Sequence, residues 1–370
     1  MIYRKIGEDL VSSIGLGTGF HDPKKEDYNA LEKTVKSSVD AGINFIDTAP
    51  VYGDGLSELH LGKVIGSLKR DSIFLASKIS PQDTTYNGVI RSVEQSLKRL
   101  NTEWVDLYQI HWSSAEVPIG ETMLAMEKLV SDGKIRNIGV SNFSLTELVG
   151  AASSLKNNDM ASVQSEYNFF ERSVEDEILP FCKKNNMFLI AYSPLAQGRM
   201  VNGKKQLDFL NKLAYNYGCS AGQLVLRWLI EDPNVIAIPN TSKPHRAVEN
   251  ASAADVMISR DNIEKMSFEL RTEVSLVDTG QIRVTEDYGR KVYQTLEEAL
   301  QNNMNMSPSP LELSKQIKGG VFLKPIRLRK LTQKIGDKEY DLVEGRLRYW
   351  SWVIAHGWKK PVPSLVWENN

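Results

Sequence analysis

Six apolar, β-branched stretches of this sequence each end on polar side chains: Asp47, Lys78, His111, Ser141-Asn142, Gln164 and Tyr192-Ser193. A carboxylate, an ammonium, an imidazole and a phenol are the equipment of acid–base chemistry, and amides and hydroxyls are that of ligand binding. One polar residue at a strand end is ordinarily a satisfied structural group. Six in succession are not explained by packing. If the strands run in one direction, their C-terminal ends open on one mouth, where this chemistry would be gathered.

The elements that would do this are legible in the hydrophobic pattern. Candidate strands are Ser13–Thr18, Asn44–Thr48, Ile73–Lys78, Val105–His111, Ile135–Ser141, Ser162–Tyr167, Phe188–Ser193 and Val235–Pro239. Several are near-continuous apolar runs, as in parallel strands covered on both faces. Between them lie stretches of helical period such as Leu31–Ala41, Val89–Leu100, Ile119–Ser131 and Leu145–Leu155. Strand–helix alternation of this kind predicts an α/β fold, a closed (β/α)8 TIM barrel, over residues 1–272. A hairpin, Tyr3–Lys5 and Asp9–Ser12 around Ile6-Gly7-Glu8, is expected to close its bottom.

After Ser259 the pattern changes. A helix is expected over Arg260–Leu270, with irregular chain from Val274 and a linker at Asn302–Pro310. A helix at Leu311–Lys318, strands at Leu323–Lys330 and Tyr340–Val343, a helix near Arg346–His356 and an edge strand around Pro363–Trp367 complete a smaller α+β domain over residues 273–370.

Six motifs in order identify the first region. F-I-D-T-A-P-V-Y-G-D-G-L-S-E-L-H-L-G (Phe45–Gly62), D-L-Y-Q-I-H (Asp106–His111), G-K-I-R-N-I-G-V-S-N-F (Gly133–Phe143), Q-S-E-Y-N (Gln164–Asn168), A-Y-S-P-L-A-Q-G (Ala191–Gly198) and I-P-N-T-S-K-P-H-R-A-V-E-N (Ile238–Asn250) resemble the aldo-keto reductase family. The resemblance covers roughly residues 1–270. It implies an NADP-dependent oxidoreductase acting on CH-OH donors, reducing an aldehyde or ketone to an alcohol, with a catalytic tetrad of Asp47, Tyr52, Lys78 and His111. The side chains make sense of it. A carbonyl that accepts hydride becomes an alkoxide and needs a proton. Tyrosine is a poor acid at neutral pH unless a cation stabilises its phenolate. Lys78 would be that cation, Asp47 would hold the lysine, and His111 would orient the substrate oxygen.

The same resemblance implies the cofactor, NADPH with NADH possible. Ser141, Asn142 and Gln164 would bind the nicotinamide carboxamide, and Tyr192 would stack on its ring. Ser193, Pro194, Leu195 and Gly198 would line the pyrophosphate, and Ser242, Lys243, Arg246, Glu249 and Asn250 the adenosine end. Arg246 suits a 2′-phosphate, because a planar guanidinium matches its oxygens. Asn240 stands where many members of the family have lysine. Gly15-Leu16-Gly17-Thr18-Gly19 lacks the context of a Rossmann fingerprint, since His21, Asp22 and Pro23 follow rather than a helix. These glycines and Thr18 are expected to form a mouth loop that admits the cofactor. Substrate choice is expected from loops near Phe20, Trp112 and Gln197.

The C-terminal segment is similar to the ParB/sulfiredoxin-like family. Leu313, Ile317, Gly320, Pro325 and Ile326 match one pattern, and Tyr340, Leu342, Val343, Gly345 and Arg348 a second. The likeness implies a glycine turn into a helix that binds phosphate, with Gly345, Arg346 and Arg348 as its residues and a nucleotide or phosphorylated ligand as its partner. Leu347 separates the two arginines. No cysteine follows Cys219, which excludes sulfinic acid reduction, and no helix-turn-helix follows, which argues against nucleic acid. The competing role is architectural. Trp350, Trp352 and Trp358 are expected in a core. A second function class fits the fusion: an NADP(H)-binding regulatory or sensor protein read out through the C-terminal domain or a partner.

Composition bounds the rest. With 370 residues, 41% hydrophobic and 25% charged, the chain is ordinary for a globular protein and offers no membrane span. Charges at Arg4, Lys5, Glu8 and Asp9 leave no signal-peptide pattern, and two cysteines, Cys182 and Cys219, give neither a disulfide framework nor a metal-site spacing. A reducing cytoplasm is expected. The net charge of −1 is uneven. Residues 315–360 hold 12 Lys or Arg against 4 Asp or Glu, a net of +8, leaving −9 elsewhere.

Overall fold

The computed structural model describes residues 1–19, 28–114, 116–201, 204–269, 274–284, 293–304, 306, 308–319 and 325–367. The chain forms two compact units, Met1–Glu269 and Leu270–Asn370.

The first unit is built on eight parallel strands in sequence order: β1 Leu16–Gly17, β2 Phe45–Asp47, β3 Phe74–Ile79, β4 Val105–Ile110, β5 Ile135–Ser141, β6 Met160–Glu166, β7 Phe188–Tyr192 and β8 Val235–Ala237. Parallel bridges Ile14↔Ala237 and Gly17↔Asn240 close the sheet into a barrel. Every residue of β3 and β4 is buried, because helices cover the outer face while side chains fill the inner one. Phe45, Phe74, Ala76, Leu107, Ile190, Ile236 and Ile238 form that filling, and the hairpin Tyr3–Ile6/Asp9–Ser12 adds Ile6 and Val11 to it.

The outer helices follow from local rules. In Tyr86–Leu100 the buried Val89, Val93, Leu97 and Leu100 share one face, Thr85 caps the start by accepting from Gly88 N, and Asn101 ends it with a left-handed φ of 50°. Ser144 and Glu147 form a reciprocal cap on Leu145–Ser154. At the N-terminal ends of the strands, buried Asp106 accepts from Arg70, Arg136, Trp104 Nε1 and the amide of Leu75.

The glycines of the first strand play a different part from the one expected. A Cβ on Gly15 would lie 3.0 Å from Phe45 and Ile238, and one on Gly17 would lie 3.0 Å from the Ile238 carbonyl. A side chain has no room at this seam of the barrel: Gly15 is hemmed in by the Phe45 and Ile238 side chains and the Phe45 carbonyl, and Gly17 by the Ile238 carbonyl. Of this run, Gly19 faces the chemistry: its Cβ would stand 3.3 Å from the Tyr52 ring.

The second unit holds a five-stranded mixed sheet of β9 Val274–Val277, β10 Ile282–Val284, β11 Ile326–Ile335, β12 Lys338–Glu344 and β13 Val362–Trp367, in the order β9-β13-β11-β12-β10. Two expectations are corrected. The segment after Val274 is not irregular but supplies both edge strands, and the strand near Pro363–Trp367 is interior, antiparallel to β9 and parallel to β11. Strands of three and four residues carry too little pattern to be read from sequence. Helices Leu296–Gln301, Pro310–Lys318 and Arg346–His356 accompany the sheet. Trp350 and Trp352 enter the core with Leu328, Leu342 and Val362, whereas Trp358 stays 49% exposed. Gly320 and Leu323 lie outside the described residues. Among the described residues no helix is long and apolar enough to cross a membrane, and no cluster of His, Cys, Asp and Glu could hold a metal.

Candidate active site

The ends of β2, β3 and β4 bring three side chains to the mouth, and the loop after β2 adds the fourth. Lys78 is fully buried, and its ammonium has three hydrogens for three acceptors: Asp47 Oδ1 at 2.6 Å, the Thr48 carbonyl at 3.0 Å and Tyr52 Oη at 3.1 Å. Tyr52 Oη thus accepts from Lys78, which leaves its own hydrogen to point elsewhere. His111 stands edge-on to Tyr52, ring centres 5.9 Å apart, and Trp112 stacks on His111 at 3.7 Å. The expected tetrad is one connected group.

Its scaffold was only partly legible. Ser57, on the helix Leu56–Ile65 that follows the tyrosine loop, donates to Thr18 Oγ1 at 2.8 Å and lies 3.0 Å from Thr48 Oγ1. Thr18 in turn donates to the Asp47 carbonyl at 2.9 Å. The Thr18 hydroxyl is fully buried and holds Asp47 and the helix. Buried Glu58 accepts from Ser77 at 2.6 Å and Arg99 at 2.7 Å. Arg99 passes directly under Gly55, in the loop whose Gly53, Asp54 and Gly55 all have positive φ. Ser57 and Glu58 lie inside the Phe45–Gly62 motif, but spacing alone could not say which strands they reach.

Burial shapes the titration of the group. It pushes the Tyr52 phenol above its ordinary value, against the pull of the Lys78 charge and hydrogen bond, with Asp47 adding to the rise. Lys78 pulls in the direction expected, toward the phenolate, but in the protein without substrate burial and Asp47 outweigh it. For Lys78, burial pushes down, but Asp47 and Tyr52 outweigh it and hold the ammonium above its usual range. His111 is pushed down to about 2, first by burial and then by repulsion from Lys78. Its imidazole is neutral, and its Nδ1 is buried with no partner among the described residues. A neutral imidazole can orient an oxygen but has no proton to give up as an acid.

Around this group lies a cradle that fits a dinucleotide. Asn142, with φ of 60°, ties three strands together: its Nδ2 donates to the His111 carbonyl and to Ser141 Oγ, and its Oδ1 accepts from Tyr192 Oη at 2.9 Å. Gln164 donates to Asp47 Oδ2 at 2.9 Å. Beyond β7, Ser193, Ala196, Gln197 and Gly198 all have positive φ, around Pro194 and Leu195. Lys243 and Arg246 are exposed at the start of the helix Pro244–Ser252, which also carries Glu249 and Asn250, with Ser242 just before it. Glu249 accepts from Ser220 at 2.6 Å, linking two helices. Asn240 donates to the Gly19 carbonyl at 2.9 Å and so anchors the loop beside Tyr52. Phe20 lies outside the described residues.

Comparison with known proteins agrees with this geometry. The aldo/keto reductase family matches residues 13–267. The chain belongs to the aldo/keto reductase family. It is 34% identical over 254 residues to the methylglyoxal reductase YeaE of Escherichia coli, spanning 68% of this chain and 89% of that one. It is 32% identical over 243 residues to the glyoxal reductase of Bacillus subtilis, spanning 66% and 84%. An aldo-keto reductase of Klebsiella pneumoniae solved with NADPH superposes with a TM-score of 0.66 at 33% identity, covering 72% of this chain and 94% of that one. As an aldo/keto reductase, the chain is an oxidoreductase whose family match lies within the first unit.

In the second unit Gly345, with φ of 96°, turns β12 into the helix Arg346–His356. The arginines fold back on their own chain. Arg346 donates to the carbonyls of Leu342 and Val343, and Arg348 to the Pro325 carbonyl and Glu344. Glu344 also takes Arg327 at 2.7 Å.

The titration of His111 has a measurable consequence. Its folded value lies below its unfolded one, so its contribution to stability is complete above about pH 6.5 and is lost as pH falls toward its folded value. Between about pH 6 and 4 this residue alone should cost about 1.4 kcal/mol per pH unit. Urea unfolding of His111→Asn across that range should decline less steeply than wild type. Parallel declines would mean that the imidazole protonates in place.

Proposed function

We propose that this aldo/keto reductase uses NADPH to reduce an aldehyde or ketone to the alcohol, with Tyr52 giving the proton. The carrying observation is the Lys78 ammonium, whose three hydrogens are taken by Asp47, Thr48 and Tyr52. Bound NADPH supplies the hydride. Ser141, Asn142 and Gln164 hold its carboxamide, Tyr192 lies against the ring, Ser193, Pro194, Leu195 and Gly198 line the pyrophosphate, and Ser242, Lys243, Arg246, Glu249 and Asn250 surround the adenosine end.

His111, neutral and with no partner at Nδ1 among the described residues, orients the carbonyl oxygen. Tyr52 keeps its proton at neutral pH and passes it from Oη to the nascent alkoxide, a far stronger base than phenolate. Lys78 then stabilises the phenolate left behind through the hydrogen bond it already makes, so little reorganisation is needed. Trp112, stacked on His111, offers an apolar wall to the substrate. The relatives' names make small oxoaldehydes such as methylglyoxal the first substrates to try.

Replacing Tyr52 with Phe removes the donor and leaves the cofactor cradle. Turnover of methylglyoxal with NADPH should fall by about 10²-fold or more, with NADPH affinity within about twofold of wild type. Retained turnover would exclude Tyr52 as the donor. Tight NADPH binding by wild type with no turnover on a broad carbonyl panel would instead favour the sensor role.

Lys243 and Arg246 favour NADPH over NADH through the 2′-phosphate. Arg246→Ala should weaken NADPH roughly tenfold and NADH far less, read by fluorescence titration. Equal losses would place the guanidinium elsewhere.

For the ParB/sulfiredoxin-like resemblance of the second unit, the glycine turn at Gly345 is in favour. The hydrogen bonds of Arg346 and Arg348 favour an architectural part for these residues over a phosphate site. The Arg346→Ala/Arg348→Ala double variant should lower the melting temperature while the wild type shows no saturable binding of ATP or inorganic phosphate. Phosphate binding by wild type that disappears in the variant would restore the ligand site.

A further inference from the structure

Gln109 is the inward-facing residue of β4 two positions before His111, fully buried, and no step above uses it. Its Nε2 donates to Asp47 Oδ2 at 3.3 Å, the same oxygen that accepts from Gln164 Nε2 at 2.9 Å, and Gln164 Nε2 stands 3.5 Å from Gln109 Oε1. Two amides and a carboxylate therefore form a closed triangle at the floor of the site.

The chemistry of the triangle fixes its orientation. An ionised carboxylate only accepts, so both amides must turn their NH2 groups toward Asp47. For Gln164 this leaves the carbonyl oxygen, an acceptor, directed away from Asp47. The donors are also neutral. They satisfy the buried Oδ2 without bringing a second cation to compete with Lys78, which keeps Oδ1 facing the ammonium. Space for the triangle is reserved from the neighbouring strand. A Cβ on Gly139 of β5 would lie 3.0 Å from Gln109 Cγ and 2.6 Å from Ser162 Oγ, although Gly139 has no positive φ that would itself call for glycine.

We propose that Gln109 is a positioning residue that couples the proton-donating side of the site to its cofactor side. Through Asp47 it sets the Lys78–Tyr52 geometry, and through Gln164 it sets the amide that meets the carboxamide. This rests on the functional reading above. Loss of the amide should slow chemistry and weaken the cofactor together while leaving the carbonyl's own binding alone.

Gln109→Met keeps the volume and removes the amide. In single-turnover mixing with NADPH and methylglyoxal, it should slow reduction by about tenfold or more and weaken NADPH a few-fold, with the KM for the carbonyl little changed. Gly139→Ala, which crowds Gln109 from the neighbouring strand, should act in the same direction. Combining Gln109→Met with Gln164→Met should lose less than the product of the single losses, because both act through one carboxylate oxygen. If Gln109→Met only melts earlier, with wild-type rate and NADPH affinity, or if the two losses multiply, the positioning role is overturned. A wild type that does not oxidise NADPH with any carbonyl overturns the functional reading instead, and this one with it.

Discussion

A lysine with no solvent contact must spend all three of its hydrogens inside the protein, and Lys78 spends them on Asp47, Thr48 and Tyr52. Removing one partner of such a buried pair costs about 3–5 kcal/mol, because the other charge is left without water or counter-charge. The ammonium is therefore a constraint on geometry. It determines where Asp47 must end, where the chain must turn after β2, and which side of the Tyr52 hydroxyl is already occupied.

The parallel barrel meets this constraint because neighbouring strands end together. Asp47 and Lys78 sit on adjacent strands, and Gln109, His111 and Gln164 arrive on the next ones at depths set by strand register. Below them the interior is apolar, so the polar layer can satisfy itself only sideways or toward the mouth. That is why Asp47 collects a lysine and two amides, and why His111 is kept neutral. Burial disfavours the charged form of both Tyr52 and His111, with opposite shifts: the phenol is held in its protonated form, and the imidazole is held neutral with a single N–H.

The second unit resolves its charge differently. Its acidic residues each gather basic partners: Asp341 takes Arg283 and Arg329, Glu344 takes Arg327 and Arg348, and Glu339 takes Lys334. Arg346 turns onto backbone carbonyls. Part of this run of positive charge thus ties strand to strand, and Arg346 and Arg348 tie the sheet to the helix that follows it.

The sequence by itself determined the barrel and brought Asp47, Tyr52, Lys78 and His111 forward as one candidate group. Eight apolar runs ending on polar residues carry their own period and direction, and a motif such as Phe45–Gly62 places an aspartate and a tyrosine on either side of one turn. What only the tertiary structure decided were relations between strands. Thr18 reads as a mouth residue but is spent on the Asp47 carbonyl. Gly15 and Gly17 read as a loop but are a seam, and Gln109 reads as a polar interruption but closes a triangle with Asp47 and Gln164. The direction of the Tyr52 shift belongs here too, since spacing shows a cation near a phenol but not the burial that outweighs it. The physical reason is the same in each case. A sequence records the chemistry of a side chain and its place along one element, whereas hydrogen bonding and desolvation depend on neighbours that arrive from other elements only when the barrel closes.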